Sequence, residues 1–382
     1  MGVFLNKVGI VGIGVPQLRP CSPELSYKEL IFEAALEAYA DAGVDPRSDV
    51  DSFVCSSEDF LEGTSIFDEY VPDQLGAILK PVCTISADGM YSLITAYMQI
   101  LTGVFDVVAV EAHSKASDIV NLSAVYDLAL DPIFNRPLQL DARFVAGLEM
   151  AKYLHLSGAR KEHCRRVVEK NRSNAIHNSL AMRPTSILPD DTTISDPLTT
   201  TDAAPLADGA VVLVLASEQA AKDLRDDPVW ISGVGWASDS PSLETRDWSI
   251  PQYAGLSAKQ AYKLAKIRNP SQDIEVAEVD DTYSYKELQH LEALNLAGDG
   301  KAHKMLDEGY FDAHGPLPVN PSGGSIGMGH TLEMSGLLRV VEMVLQLRGQ
   351  AGAHQVNGAH TGLAQCWRGI PSASGAAIVL ES

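Results

Sequence analysis

Cysteine is scarce and unpaired in this chain: five residues (Cys21, Cys55, Cys83, Cys164, Cys366), an odd total with no Cys-x-x-Cys pair. That usage argues against a disulfide framework and a structural zinc site, and it fits a reducing cytoplasm. Positive charge is also short, with 29 Lys and Arg against 50 Asp and Glu, for a formal charge of −21. Nucleic acid and anionic membranes both need a basic footprint, so neither is expected as a partner. No window reaches the roughly eighteen continuous apolar residues of a membrane span. Residues 1–14 lack the basic segment, apolar core and cleavage site of a secretion signal, so a soluble cytoplasmic protein is expected. The remaining composition, 46% hydrophobic and 21% charged over 382 residues, suits one large two-lobed domain or two fused ones.

Short apolar runs and helical repeats alternate, and their order is duplicated. The first half reads as strand Val8–Gly12, helix Tyr27–Ala42 closed by Gly43, and strand Ser52–Cys55. A helix from about Ala87 to Thr102 follows, then strands Asp106–Glu111 and Gly209–Leu215. The second half repeats this with strand Val229–Val234, helix Ser257–Ile267, strand Glu275–Asp280, a helix over 331–348 and strand Ala376–Leu380. The division is therefore 1–228 and 229–382, with an Asp-, Pro-, Asn- and Thr-rich excursion at about 113–200 that covers the cleft. Such alternation implies two mixed sheets with helices packed on them.

Residues 320–336, Asn-Pro-Ser-Gly-Gly-Ser-Ile-Gly-Met-Gly-His-Thr-Leu-Glu-Met-Ser-Gly, hold five glycines and one histidine. Gly323, Gly324 and Gly329 permit backbone angles closed to other residues and a close approach of substrate to the main chain. His330 sits just before a helix, where free N–H groups and the helix dipole favour developing negative charge. The first half has a matching loop-to-helix junction at Ile85-Ser86-Ala87-Asp88-Gly89. If the halves pack about a pseudo-twofold axis, two buried helix N-termini point into one cleft and can stabilise an oxyanion.

These segments resemble the thiolase superfamily over nearly the whole chain. Gly329-His330 through Ser335-Gly336 is similar to that family's Gly-His-Pro-x-Gly-x-Ser-Gly block, and Glu278-Val279-Asp280-Asp281-Thr282-Tyr283 stands where thiolases carry Glu-x-Asn-Glu-Ala-Phe. Asp196-Pro197-Leu198 through Asp208-Gly209-Ala210 is similar to a run in the sterol-carrier-protein-x thiolases. The resemblance implies an α/β fold with duplicated mixed five-stranded sheets in αβαβα layers. It implies coenzyme A as substrate or product with no permanently bound cofactor, a homodimer, and a possible small partner made of a zinc ribbon and an OB-fold. No obvious basic patch for the CoA phosphates in the excursion motivates that partner.

The departures matter as much. Counting back from Gly103 places Ser86 where thiolases carry the nucleophilic cysteine of Cys-x-Ser-Gly. An alcohol there needs a positioned base, so Ser86 is either a nucleophile or the helix N-cap. Cys83 falls on the strand side and is expected in the core. Asp280 replaces an oxyanion-binding Asn or His, and must be protonated, rotated away or recruited as a base. Cys366 matches the family's acid/base cysteine without its following glycines, while the 366–375 ending looks more like that of the steroid side-chain aldolases. Tyr283 and Tyr285 are expected to pack, Glu333 to reach either cleft or water, and His113 to lie near a dimer interface.

Three functions follow from the resemblance. The first is a thiolase-like acyltransferase making or breaking a C–C bond next to a CoA thioester, with His330, Ser86, Asp280 and Cys366 as its catalytic set. The second is a CoA-thioester aldolase that needs no acyl-enzyme. The third is a non-catalytic acyl-CoA-binding subunit paired with an active paralogue.

Overall fold

Gly43 ends the first helix, Tyr27–Ala42, at φ 68, and its N–H bonds Tyr39 O, as a left-handed cap residue should. The computed structural model describes residues 7–63, 66–188, 190–240, 242–369 and 373–382. Ile370, Pro371 and Ser372, part of the ending compared above, lie outside the described residues.

The strands are β1 (Val8–Gly14), β2 (Ser52–Ser56), β3 (Val82–Ile85), β4 (Val107–Lys115), β5 (Thr193–Ser195), β6 (Leu198–Thr199), β7 (Asp208–Ser217), β8 (Val229–Ser238), β9 (Val276–Glu278), β10 (Thr361–Trp367) and β11 (Ser374–Glu381). Among the described residues nine form one ladder in the order β3-β2-β4-β7-β1-β8-β11-β10-β9. The duplication is visible in that order. β2 runs parallel to β3 and β4 in one half, as β9 runs parallel to β10 in the other. The remaining neighbours are antiparallel. Val319 bridges Ala277 in parallel and stands where the second half needs a counterpart of β3. The two expected sheets join at a seam between β1 and β8 of only two residue pairs, Gly9 with Trp230 and Ile10 with Val229.

Packing divides into three clusters, which give the expected layers. Helix Tyr27–Ala42 packs Leu30, Ile31 and Ala34 on Val11, Phe53 and Val212 at one outer face. A first central helix, Gly89–Leu101, and a second, Ser335–Leu347, lie between the halves. Their Leu93, Leu337 and Val341 meet Val110 and Leu213 from one half and Ala364 and Ile378 from the other. The second outer face is covered by helix Gln252–Ala265 and by helices Ala142–Ser157 and Lys161–Ala175 of the excursion. Such burial on both faces explains why residues 107–110 of β4 and 210–216 of β7 are unbroken apolar runs, and both strands are buried throughout.

The excursion leaves the first half and anchors on the second. Lys170 Nζ donates to Val319 O at 2.8 Å, and Asn171 Nδ2 donates to Asp281 at 2.8 Å and Glu287 at 2.7 Å. Four strands were not foreseen, β3 and β10 of the large sheet and the short pair β5 and β6. The helix expected over 331–348 begins later: a 3-10 turn, Leu332–Met334, precedes it, and a short helix, Gly324–Met328, lies inside the glycine-rich block. Among the described residues no helix is long and apolar enough to cross a membrane.

Candidate active site

The two central helices begin face to face, and Asp88 stands between their ends. It is the N-cap of the first, with Oδ1 accepting from Met90 N at 2.9 Å, while Oδ2 accepts from Gly336 N in the second at 2.9 Å. Each helix thus gives its second N–H to one carboxylate. Gly336 has to be glycine, because a Cβ there would lie 1.9 Å from Asp88 Oδ1. Burial raises the Asp88 pKa to about 6, against the opposing pull of Met90 N–H, Arg339, Cys366 and Gly336 N–H. The N-cap role considered for Ser86 therefore belongs to Asp88. Ser86 is exposed in the bend before it, with no hydrogen bond among the described residues.

His330 is held by its backbone on both sides. Its N–H donates to Pro205 O at 2.7 Å and its carbonyl accepts from Ala207 N at 3.0 Å, so the loop before β7 fixes it. Its Nδ1 lies 3.2 Å from Ser335 Oγ, which leaves Nε2 for a ligand. Burial, with Arg339 adding, lowers its pKa to about 4 against the opposing pull of Asp280, so the ring is neutral at pH 7.

Asp280 is buried, accepts from Thr282 N at 3.1 Å and faces Arg339 Nη2 at 2.9 Å. Burial pushes its pKa up, but Arg339, His290, Thr282 N–H and His330 together hold it below the usual carboxylate value. Asp280 is thus an ionised carboxylate paired with Arg339 and close enough to His330 to act on its ring. Asp281 caps the short helix of the glycine block through Ser325 N at 2.6 Å and Ile326 N at 3.1 Å. Cys366, buried on β10, donates its thiol to Asp88, and burial and that carboxylate raise its pKa well above the usual thiol value.

The glycines of the block serve packing. A Cβ on Gly323 would meet Ala175 at 2.5 Å, on Gly324 the Asp281 carboxylate at 2.2 Å, and on Gly329 Ala207 at 2.7 Å. Glu333 turns inward, its Oε1 accepting from Glu58 N at 3.2 Å, and Arg368 pairs with the Glu58 carboxylate. Burial, with the charges of Tyr283, Glu333 and Glu58 adding, raises the pKa of Tyr126 in the excursion.

Other expectations divide. Tyr285 packs with its hydroxyl donating to Glu149 at 2.8 Å, and Tyr283 stacks on it. Cys83 is only partly buried, on the edge strand β3. His113 is fully buried inside the chain between Phe67 and Tyr27, and bonds Glu111 at 2.9 Å. Sequence reasoning missed Asp88, Arg339, Glu58 and Arg368. An Asp directly before Gly at the head of an apolar helix signals an N-cap, and a lone Arg amid the apolar run 335–347 signals a buried ion pair.

Residues 235–381 match the family model described as thiolase C-terminal domain-like. The chain is similar to sterol carrier protein 2 of Bos taurus, at 30% identity over 386 residues covering 94% of this chain and 69% of that protein. It is similar to acetyl-CoA acetyltransferase of Methanothermobacter thermautotrophicus, at 28% identity covering 94% of this chain and 95% of that protein. Among solved structures, an Ltp2–ChsH2(DUF35) aldolase superposes with a TM-score of 0.82 at 26% identity, covering 98% of each chain. Human mitochondrial 3-ketoacyl-CoA thiolase in complex with CoA gives 0.69 at 18% identity, covering 99% of this chain and 98% of that one, a likeness of fold.

Proposed function

The chain belongs to the thiolase superfamily, in the branch of the sterol-carrier-protein-x thiolases and lipid-transfer-type aldolases, and we propose on that premise that its cleft works on a C–C bond without an acyl-enzyme. It is a thiolase-like acyl-CoA enzyme, and its likeness to acetyl-CoA acetyltransferases supports a CoA thioester as its substrate. The observation that carries the proposal is the carboxylate of Asp88 at the joint helix start, with an exposed, unassisted Ser86 where a nucleophile belongs. An unactivated hydroxyl is a poor nucleophile toward a thioester.

Aldol cleavage needs no nucleophile. The ionised Asp280 carboxylate takes the β-hydroxyl proton, the Cα–Cβ bond breaks to leave the carbonyl product, and the electron pair passes into the thioester enolate. Neutral His330 donates a hydrogen bond from Nε2 to the enolate oxygen, and the Cys366 thiol supplies a proton to the carbanion. A second reading, thiolysis or Claisen condensation through acylated Ser86, is favoured by the acetyl-CoA acetyltransferase likeness. A homodimer through the edge strand β3 accompanies either reading. The ChsH2(DUF35) component named with the similar aldolase supports a small zinc-ribbon and OB-fold partner.

The test is to incubate the protein with β-hydroxyacyl-CoA and β-ketoacyl-CoA panels, with and without free CoA, and to record intact mass. Aldehyde or ketone released without CoA consumption supports aldol cleavage. An acyl adduct on Ser86 with CoA consumed makes it a thiolase, and tight binding without turnover leaves the non-catalytic subunit.

A further inference from the structure

We propose that Asp88 is the proton-holding partner of Cys366: it keeps that side chain as a thiol and exchanges with it the proton that enters or leaves the substrate α-carbon. The inference rests on the acyl-CoA reading above and adds a residue to it.

The geometry is unusual for a capping aspartate. An exposed N-cap satisfies one helix, whereas Asp88 is 2% exposed and takes an N–H from each central helix at 2.9 Å. Its position is set from both sides, since Gly89 abuts Leu337 and Gly336 abuts Asp88 itself. Two helix starts aimed at one carboxylate would ordinarily hold it firmly ionised. Burial offsets them and brings the group to about 6, so it takes up and releases a proton near neutral pH. The groups facing it are Cys366 from β10, Arg339 from the second central helix and Tyr91 on its own helix; Asp280 and Asp281 share Arg339 from behind.

The neighbour that matters is Cys366, whose thiol donates to this carboxylate. A carboxylate beside a thiol disfavours thiolate, so Cys366 is an acid here and not a nucleophile. To remove an α-proton, the Asp88 carboxylate takes the thiol proton as the sulfur takes the proton from carbon. The C–H pair becomes the enolate, and the new proton resides on Asp88. The reverse protonates an enolate: the thiol gives its proton to carbon, and Asp88 restores it. No other reagent is needed. Asp88 acts through Cys366 and is a positioning residue, so its signature is a pH profile.

The probe is acetyl-CoA in D2O, followed by mass spectrometry for deuterium at the methyl carbon. Wild type is expected to exchange with an acid limb near pH 6. Asp88→Asn is expected to slow exchange about a hundredfold and to lose that limb. Cys366→Ser should slow it similarly, and the double variant no further. A folded Asp88→Asn protein with the wild-type rate and limb overturns the proposal while leaving the acyl-CoA reading standing. Wild type that exchanges neither acetyl-CoA nor butyryl-CoA overturns both. Should Asp88→Asn fail to fold, Asp88→Ser takes its place in the same assay: slowed exchange without the limb supports the pairing, and the wild-type rate and limb overturn it.

Discussion

Asp280 and Arg339 meet at 2.9 Å with their side chains 0% and 4% exposed, which makes a buried ion pair where the resemblance to thiolases implies an uncharged oxyanion donor. The same guanidinium lies 3.8 Å from Asp281 and donates to Ser325 Oγ at 2.8 Å. One cation thus organises the end of β9, the glycine block and the second central helix. Removing one member of such a pair leaves the other charge uncompensated, at about 3 kcal/mol or more. Asp280→Asn should therefore lower the unfolding free energy by about that much while keeping the acid limb of turnover near pH 6, because Arg339 holds the Asp280 pKa below that range. Denaturant titration and a pH–rate profile check both parts. Loss of the acid limb would assign that titration to Asp280.

His330 enters the reaction neutral, so its imidazole serves as hydrogen-bond donor across the working range. His330→Ala should reduce the α-proton exchange rate by about 100-fold or more, with acyl-CoA affinity changed only slightly. Exchange rates set beside calorimetric binding separate the two effects. A large loss of affinity with little loss of rate would make His330 a binding residue.

The two-half plan and His330 are legible because they depend on local patterns: short apolar runs, a glycine-closed helix and a Gly-His step before a helical repeat. What escaped is long-range. β10 (Thr-Gly-Leu-Ala-Gln-Cys-Trp) carries a buried Gln365, whose side chain accepts from Asp280 N at 2.9 Å, and that need is invisible without β9 beside it. The state of Asp280 was left open because Arg339 lies 59 positions away along the chain. Glu333 was undecidable because a 3-10 turn, and not the expected helix, carries it back toward Glu58.

Glu278 is buried beside Glu342, and burial together with that like charge raises its pKa from 4.5 to about 8. The folded chain therefore keeps a proton there that the unfolded chain releases above pH 4.5. Stability from this group is complete below about 4.5 and is lost as pH rises toward 8. Glu278→Gln, which is neutral throughout, should unfold at higher denaturant than wild type at pH 8, by on the order of 2 kcal/mol, with the gap closing by pH 5. Equal pH dependence in the two proteins would place the shared proton elsewhere.

Gly336 and Gly103 make a matched pair for backbone substitution. A Cβ on Gly336 would sit 1.9 Å from Asp88 Oδ1, whereas Gly103, at φ 72, has nothing within 4 Å. Gly336→Ala should cost about 3 kcal/mol, combining overpacking with loss of the shared cap, and should abolish α-proton exchange. Gly103→Ala should cost about 1 kcal/mol from its backbone angle alone and leave exchange intact. Equal costs would mean that the helix starts move apart freely.

Ser86 offers the sharpest test of what Asp88 does to the helix starts. A thiol there would meet the free N–H groups that lower thiol pKa in relatives of this fold, except that Asp88 already takes one from each helix. Its negative charge, two residues along, also opposes a thiolate. Ser86→Cys alone should therefore keep a thiol near the free value of about 8.5 and acylate slowly with acetyl-CoA. Adding Asp88→Ser frees those N–H groups and removes the charge, so the double variant should alkylate at least about tenfold faster at pH 7 and carry an acetyl adduct by intact mass. Comparable acylation of the single and double variants would mean that the helix starts were never occupied, and that the missing thiol alone separates this cleft from one that forms an acyl-enzyme.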